Sequence, residues 1–231
     1  NAEDRPKKDG EIGVLKTSAA TGQFLDTSQN KAVLQGETER VSTSLTKNTI
    51  LVCRSNTVDL VGRSVYVDKD HEGLFLPDTL WKISGNPSIC SMKWLSYVLR
   101  SGRMRQQLAT IATGTSGSMK KISQRNFLKL YASVPPIEEQ QAIAATIVPY
   151  DEYLQIMSRR ISASKEQEKG LMQRLLTGRA RFPEFEGEAW QTVKLGEILD
   201  ERRERGYDDL PLLSVTAEEG IVYRNELDRR D

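Results

Sequence analysis

The sequence predicts an α+β fold, in which a mixed domain of strands and helices is followed by one long, coiled-coil-forming α-helix. Three observations carry this prediction. Short apolar and β-branched runs bounded by turn residues occupy the chain up to residue 83. Beyond residue 136, apolar residues recur at alternating spacings of four and three. Prolines precede this second pattern and a glycine follows it.

Strands are predicted in four places in the first part of the chain. Residues 12–15 form a short apolar run, and residues 49–53 form a continuous apolar run of the kind found in buried strands. Residues 61–67 are β-branched and alternate in polarity, and apolar residues within 74–83 indicate further strand. We therefore expect a sheet before any helix.

Helices are predicted after residue 90. Ser91 is placed to cap a helix, which Gly102 interrupts. Residues 113–118 are too rich in glycine, serine and threonine for a regular element. Ser123 is placed to cap a short helix that runs to Leu130.

The long helix has a marked start and end. Pro135 and Pro136 suit a first helical turn, where a missing N–H is not needed. Glu138 and Glu139 follow at the positive end of the helix dipole. Gly178 stands where a left-handed cap belongs. At about 1.5 Å per residue such a helix reaches roughly 55 Å, more than the core of one small domain needs.

One side of this helix carries a narrow apolar stripe that calls for a partner helix. Tyr150 belongs to the same pattern. Pro149 lies within it and predicts either a kink or the true start of the helix. The residues predicted to form the helix-partner interface, called the apolar stripe below, are Ile143, Ile147, Leu154, Met157, Ile161, Leu171 and Leu175.

Charge is distributed unevenly along the 231 residues, although the net charge is only +1. No Asp or Glu occurs from residue 79 to residue 137. A basic surface of this kind attracts phosphate, but a solvated basic face without a partner is an equally good interpretation. The nine basic residues of this stretch are Lys82, Lys93, Arg100, Arg103, Arg105, Lys120, Lys121, Arg125 and Lys129.

Several classes of protein are disfavoured. Cys53 and Cys90 form no CxxC pair and His71 is the sole histidine, so we expect no metal site and two reduced cysteines in a cytoplasmic protein. No apolar run is long enough to span a membrane. Asn86-Pro87 lacks the second proline and the aromatic residue of a methyltransferase loop, and no nucleophile signature surrounds the histidine. We therefore expect no cofactor and no catalytic residues.

The end of the chain resembles its beginning. Leu15 aligns with Leu213, Ala19 with Ala217 and Gly22 with Gly220, always at the same offset. This indicates two similar domains in tandem. The chain begins with asparagine rather than methionine. We therefore expect a fragment or processed product, with the first domain lacking its opening strand and the second cut short.

Several motifs together resemble the specificity subunit of type I restriction-modification enzymes. They are the Pro-Pro-Ile-Glu-Glu-Gln run at 135–140, the Leu-Met-Gln-Arg-Leu-Leu-Thr-Gly run at 171–178, and Phe182-Pro-Glu-Phe with Trp190 and Leu195-Gly-Glu-Ile. Residues 50–56, Val61-Gly62 and 113–117 also look familial. The resemblance implies a target recognition domain at 1–135, a conserved spacer helix at 136–178, a linker at 179–189 and a truncated second recognition domain at 190–231.

The resemblance also implies a function. Each recognition domain of that family reads one half of a split sequence in double-stranded DNA. Two long helices hold the domains apart and bind methyltransferase subunits, and the restriction subunit joins that core. We therefore expect a non-catalytic recognition subunit, with self-association through the apolar stripe as an alternative to methyltransferase docking. The recognition region of a fused restriction-methylation enzyme, or a coiled-coil scaffold without a DNA role, are the competing interpretations.

Candidate DNA contacts follow from residue type and position. Lysines after a Gly/Ser/Thr loop suit phosphates, and Arg or Asn after a buried strand can pair with guanine or adenine. A plain polar junction or turn would explain Arg54-Ser-Asn and Thr17-Ser equally well. The predicted contacts are Lys16, Thr17, Ser18, Arg54, Ser55, Asn56, Thr115, Ser116, Lys120, Lys121 and Arg125.

Overall fold

A computed structural model of the protein describes residues 2–114, 119–202, 210–217 and 220–224. The chain forms two compact units, Asn1–Glu166 and Gln167–Asp231, and the boundary falls inside the long helix. The α+β class predicted from the sequence is confirmed.

Most strands and helices lie in the first unit. Its strands are β1 (Gly13–Leu15), β2 (Asn30–Ala32), β3 (Ser44–Leu45), β4 (Thr49–Cys53), β5 (Ser55–Asn56), β6 (Ser64–Val67), β7 (His71–Phe75), β8 (Leu80–Ile83) and β9 (Lys120–Lys121). Its helices are α1 (Met92–Arg100), α2 (Gly102–Ile111), α3 (Gln124–Phe127) and the first part of α4 (Ile137–Leu175).

The strands form three small sheets. β4 pairs antiparallel with both β6 and β8, and the order β2-β1-β7-β3 forms a second sheet, in which β1 and β7 run parallel. β5 and β9 form the third. All five residues of β4 are buried, because its two faces enter different cores. Leu51 and Cys53 pack against residues of β1 and β7, while Ile50 and Val52 pack beneath α1 and α2.

Tight turns adjust the predicted strand limits. Gly62 adopts a φ of +73°, a left-handed conformation that favours glycine, so the predicted strand at 61–67 begins only at Ser64. The single strand predicted within 74–83 is divided into β7 and β8. The break lies at a turn in which the Leu80 N–H donates to the Pro77 carbonyl at 3.2 Å.

Serine caps set the helix starts. The Ser91 side chain accepts from the Trp94 N–H, and Ser123 caps α3 in the same way, as predicted. The interruption expected at Gly102 lies one residue earlier, since Ser101 ends α1 and caps α2. The helix α3 ends at Phe127 rather than at Leu130.

The long helix α4 has 39 residues. Gly178 follows it with a φ of +71°, as the predicted left-handed cap requires. Pro149 lies inside the helix, so it does not mark the start. In the second unit, α4 is followed by α5 (Leu195–Ile198) and by an antiparallel pair, β10 (Leu213–Thr216) and β11 (Gly220–Tyr223).

The two segments aligned in the sequence differ in local structure. Leu15 ends β1, and residues Thr17–Ala20 then form a 3-10 turn. Leu213, its counterpart, begins β10, which continues through the positions equivalent to Thr17 and Ser18. The tandem repeat therefore stays a prediction from the sequence.

A single buried glutamine attaches the start of α4 to the preceding loops. Gln140 is fully buried, and its Oε1 accepts from the Ser91 N–H at 2.9 Å. Its Nε2 donates to the carbonyls of Ile89 at 2.9 Å and Pro135 at 2.8 Å. The side chain thereby joins the start of α1 to the start of α4.

We expect Gln140→Ala to destabilise the first unit, because it leaves one buried N–H and two carbonyls without their partner. The free energy of unfolding should fall by about 2–4 kcal/mol, measured by urea denaturation. Gln141→Ala is the matched control, since the neighbouring side chain is exposed. Equal stability of the two variants would contradict a structural role for Gln140.

Candidate nucleic-acid interface

Two of the predicted contact segments, distant in the sequence, pair directly. Ser55 lies opposite Lys121 and Asn56 opposite Lys120 in the antiparallel sheet of β5 and β9. On its other side, Lys121 exchanges two backbone hydrogen bonds with Thr113, at 2.8 and 2.9 Å. The structure thus brings the strand-end residues and the lysines to one place on the surface.

The two lysines differ in environment. Lys120 is half-buried, and its ammonium donates to the Gly114 carbonyl at 2.7 Å. Lys121 is exposed, and neither lysine has an ion-pair partner in the described part of the chain. Gly114 has a φ of +148°, and a Cβ there would lie 2.5 Å from the Met119 carbonyl oxygen. A side chain at position 114 would therefore clash with the backbone, which favours glycine there.

The side chains of Ser55 and Asn56 are engaged within the fold. Ser55 is 9% exposed, and its hydroxyl lies 3.3 Å from the Met119 sulfur. The Asn56 Oδ1 accepts from the Thr57 N–H at 2.8 Å, and its Nδ2 lies 3.5 Å from the Cys53 sulfur. Asn56 thus supports the turn after β5, whereas Ser55 contacts the residue before β9, so contact with bases stays a prediction for both.

Arg54 and Thr17 are both hydrogen-bonded to Thr79. The Arg54 N–H donates to the Thr79 carbonyl at 2.9 Å, and the hydroxyls of Thr17 and Thr79 are hydrogen-bonded at 2.6 Å. The Arg54 guanidinium lies 5.8 Å from the centre of the Trp81 ring. A cation over an aromatic face at this distance is held weakly and keeps its donors available.

The other predicted contacts are dispersed. Lys16 lies 3.6 Å from the Asp4 carboxylate, and the Ser18 hydroxyl donates to Gln29 at 3.3 Å. Arg125 is exposed on α3. Thr115 and Ser116 lie outside the described residues.

The nine basic residues between 79 and 137 fall into two groups. Four are used within the fold. Lys82 donates to the Ser44 carbonyl, Lys93 and Arg100 pair with Asp151, and Arg105 donates to the carbonyls of Asp59 and Val61. The other five have no carboxylate within ion-pair distance in the described part of the chain, although Lys120 donates to the Gly114 carbonyl. They are Arg103, Lys120, Lys121, Arg125 and Lys129.

Asp151 is a buried carboxylate on α4 that the sequence pattern did not reveal. It is 6% exposed and accepts from the Tyr97 hydroxyl at 2.9 Å. Lys93 and Arg100 each lie 3.6 Å from it. Burial, followed by this hydrogen bond, raises the pKa of Tyr97, so the phenol stays protonated as the donor. Asp151 therefore joins α4 to α1, as Gln140 does about three turns earlier in the helix.

The described residues show neither a metal-binding cluster nor a membrane-spanning helix. Among the described residues, no group of three or more His, Cys, Asp or Glu side chains is arranged to hold a metal. In the same part of the chain, no helix is both long and apolar enough to cross a membrane.

The family model of the type I restriction modification DNA specificity domain matches residues 2–164. The chain belongs to this family. The matched range contains the β5–β9 pair, the unpaired basic residues and most of α4. The resemblance found in the sequence motifs is thereby confirmed.

Relatives agree with this assignment. The chain is 28% identical over 156 residues to the type I restriction enzyme EcoEI specificity subunit of Escherichia coli, covering 67% of this chain and 26% of the relative. It is 28% identical over 133 residues to the MjaVIII specificity subunit of Methanocaldococcus jannaschii, covering 54% and 30%. The matched part thus spans between a quarter and a third of these relatives.

A solved structure supports the fold. The chain is similar, with a TM-score of 0.50 and 18% identity, to one from a study of complex assembly and conformational transition of the type I R-M system. The match covers 86% of this chain and 51% of that one.

We expect the double substitution Lys120→Ala, Lys121→Ala to weaken binding to every duplex alike, since lysine contacts to phosphate carry no sequence information. The salt dependence should flatten by roughly two in log–log slope. Lys165→Ala with Lys169→Ala removes the same charge from exposed positions of α4 and is the control. Fluorescence anisotropy at several salt concentrations measures the affinity and its salt dependence for each variant. Unchanged affinity in the first variant would place the DNA elsewhere.

Proposed function

We propose that this chain is a non-catalytic, sequence-specific DNA-recognition component of a type I restriction-modification complex, reading one half of a bipartite target. One observation carries the proposal. A member of the DNA specificity domain family pairs β5 with the lysine-bearing β9, and five basic residues of its acid-free stretch have no carboxylate partner among the described residues. Such a surface suits a phosphate backbone.

Two kinds of contact divide the work of recognition. Lys120, Lys121 and Arg125 contact phosphates and set the register of the domain on the duplex. Arg54 and Asn56 are the base readers, because a guanidinium pairs with guanine and an amide with adenine in the major groove. The Arg54 donors are the more available, since Asn56 already bonds within its turn.

The domain limits of the proposal are 1–135 for the recognition domain, 136–178 for the spacer helix, 179–189 for the linker and 190–231 for the start of a second recognition domain. The helix bounds of α4 and the Gly178 cap support the second range. We place the protein in the cytoplasm, where such a complex would meet DNA.

We further propose that α4 docks methyltransferase subunits through the apolar stripe, with the restriction subunit joining indirectly. Leu154, Ile161 and Leu171 are 43%, 57% and 48% exposed. Exposed apolar residues at coiled-coil spacing favour a helical partner. Self-association of the chain through the same stripe is the second candidate. A fused restriction-methylation enzyme would use the same surface intramolecularly.

The binding test is a salt titration. If the five unpaired basic residues meet phosphates, the logarithm of the association constant should fall with the logarithm of salt concentration at a slope of about −4.5. Fluorescence anisotropy with a random duplex measures it. Selection from a randomised duplex pool should then enrich one short sequence. Binding that is independent of salt would contradict the proposal.

Ile161→Glu tests the apolar stripe. A glutamate in the stripe should abolish docking of methyltransferase subunits or self-association, since burying an unpaired charge is costly. Analytical ultracentrifugation with and without those subunits measures both. Ala163→Glu adds the same charge at an exposed position on a different side of α4 and should assemble normally. Assembly of both variants would exclude the stripe as the interface.

A further inference from the structure

An open pocket of about 400 Å³ lies between the turn before β6, the end of α1 and the start of α2. Three arginines line it, and each comes from a different element. The lining includes Arg63, Arg100 and Arg105, together with Ser64, Gly22 and Gln23. None of these residues is among the individual DNA contacts predicted from the sequence, although Arg100 and Arg105 belong to the acid-free basic stretch.

Arg63 and Arg105 are held together by one backbone oxygen. The Arg63 Nε and the Arg105 Nη2 both donate to the Asp59 carbonyl, at 3.2 and 3.1 Å. Further bonds to the carbonyls of Thr21 and Val61 fix the two guanidinium groups. Two positive charges are thereby fixed side by side.

No carboxylate neutralises this pair. Neither Arg63 nor Arg105 has an ion pair in the described part of the chain. Burial, and then the charge of Arg63, lower the pKa of Arg105. Asp59 acts on Arg105 only at longer range, and Asp151 lies 3.6 Å from Arg100, the third arginine. An anion in the pocket would relieve this repulsion.

Gly62 allows the arrangement to form. Its φ is +73°, and a Cβ at this position would lie 3.3 Å from the Arg105 Nη1 and 3.2 Å from the Leu108 Cβ. A larger residue would therefore strain the left-handed backbone and force the guanidinium to shift. The familial Val-Gly motif noted in the sequence thus has a local steric role.

Ser64 supplies an independent observation. It lines the pocket, is 3% exposed, and its hydroxyl has no hydrogen-bond partner in the described part of the chain. A buried hydroxyl without a partner is unfavourable and uncommon in folded proteins. A ligand oxygen bound beside Arg63 and Arg105 would give it one.

We propose that this pocket binds a phosphate group, held by the guanidinium groups of Arg63 and Arg105 with the Ser64 hydroxyl as a further donor. Guanidinium forks match the geometry of phosphate oxygens. The source of the phosphate rests on the proposed function. Arg63 lies at the end of the turn that follows β5, and its Nη1 donates to the carbonyl of Thr21, the residue after the Thr17–Ala20 turn. Both of these neighbouring segments carry predicted DNA contacts. This position favours a phosphodiester of the DNA backbone over a free phosphate ester.

The first arm of the test uses inorganic phosphate alone. Sodium phosphate should raise the melting temperature of the chain saturably at millimolar concentration, relative to sodium chloride at equal ionic strength. Arg63→Gln should abolish this shift. Arg103→Gln, which removes an exposed arginine of α2 outside the pocket, should keep it. Ser64→Ala should weaken phosphate binding several-fold without lowering stability in chloride, because the hydroxyl has no partner to lose.

The second arm uses duplex DNA. Arg63→Gln should lower the affinity for every sequence about tenfold and reduce the salt slope by about one, whereas Arg160→Gln, which removes an exposed arginine of α4 outside the pocket, should leave both unchanged. Saturable phosphate binding with unchanged DNA affinity would assign the pocket to a free phosphate ester.

Absence of saturable phosphate binding by the folded wild-type chain would overturn the proposal. DNA binding that depends on Lys120 and Lys121 would still stand in that case, so the two proposals fail separately. If Arg63→Gln does not fold, Arg63→Lys retains the charge but loses the fork. It should then bind phosphate several-fold more weakly, and unchanged binding would count against the pocket.

Discussion

The attachment of the long helix to the recognition domain depends on two buried polar side chains, Gln140 and Asp151. Both side chains are buried, where a polar group without a hydrogen-bond partner is costly. Each is therefore stable only when its partners are correctly placed. Gln140 holds backbone groups of the preceding loops, and Asp151 holds Tyr97 with two cations. Because they lie about three helical turns apart, the two residues fix the rotation of α4 as well as its position. That rotation decides which side of α4 is left for other proteins.

The attachment of α4 also uses two residues of the basic stretch between 79 and 137. Lys93 and Arg100 belong to it by sequence, but they face Asp151, and the Lys93 ammonium also lies 4.8 Å from the centre of the Tyr66 ring. Partners of this kind reduce the charge that these residues offer to DNA. A count of charges along the chain therefore overstates the phosphate contacts, and the residues without a carboxylate partner give the better estimate.

Backbone pairing brings several of the basic residues that do not pair with Asp151 close to one another. The β5–β9 pair and the turn that follows β5 bring the lysines, Arg54 and the Arg63–Arg105 pair onto segments that share hydrogen bonds. The Ile122 N–H donates to the Arg54 carbonyl at 2.9 Å, which ties the end of β9 to the end of β4. Loops positioned in this way by a rigid sheet are where recognition residues are commonly found.

The sequence alone determined what local chemistry controls. Apolar periodicity identified β4 and α4, and capping preferences located Ser91, Ser123 and Gly178, because each depends on residues within one or two turns of chain. Only the tertiary structure decided that β5 pairs with β9, that Asp151 is buried, and that Ser64 lines an arginine pocket. These features rest on partners dozens of residues away, and neither periodicity nor residue type specifies which distant group will be adjacent. Gly62 shows both contributions. Its turn is set by neighbouring residues, whereas Arg105, which packs where a side chain of residue 62 would lie, comes from α2.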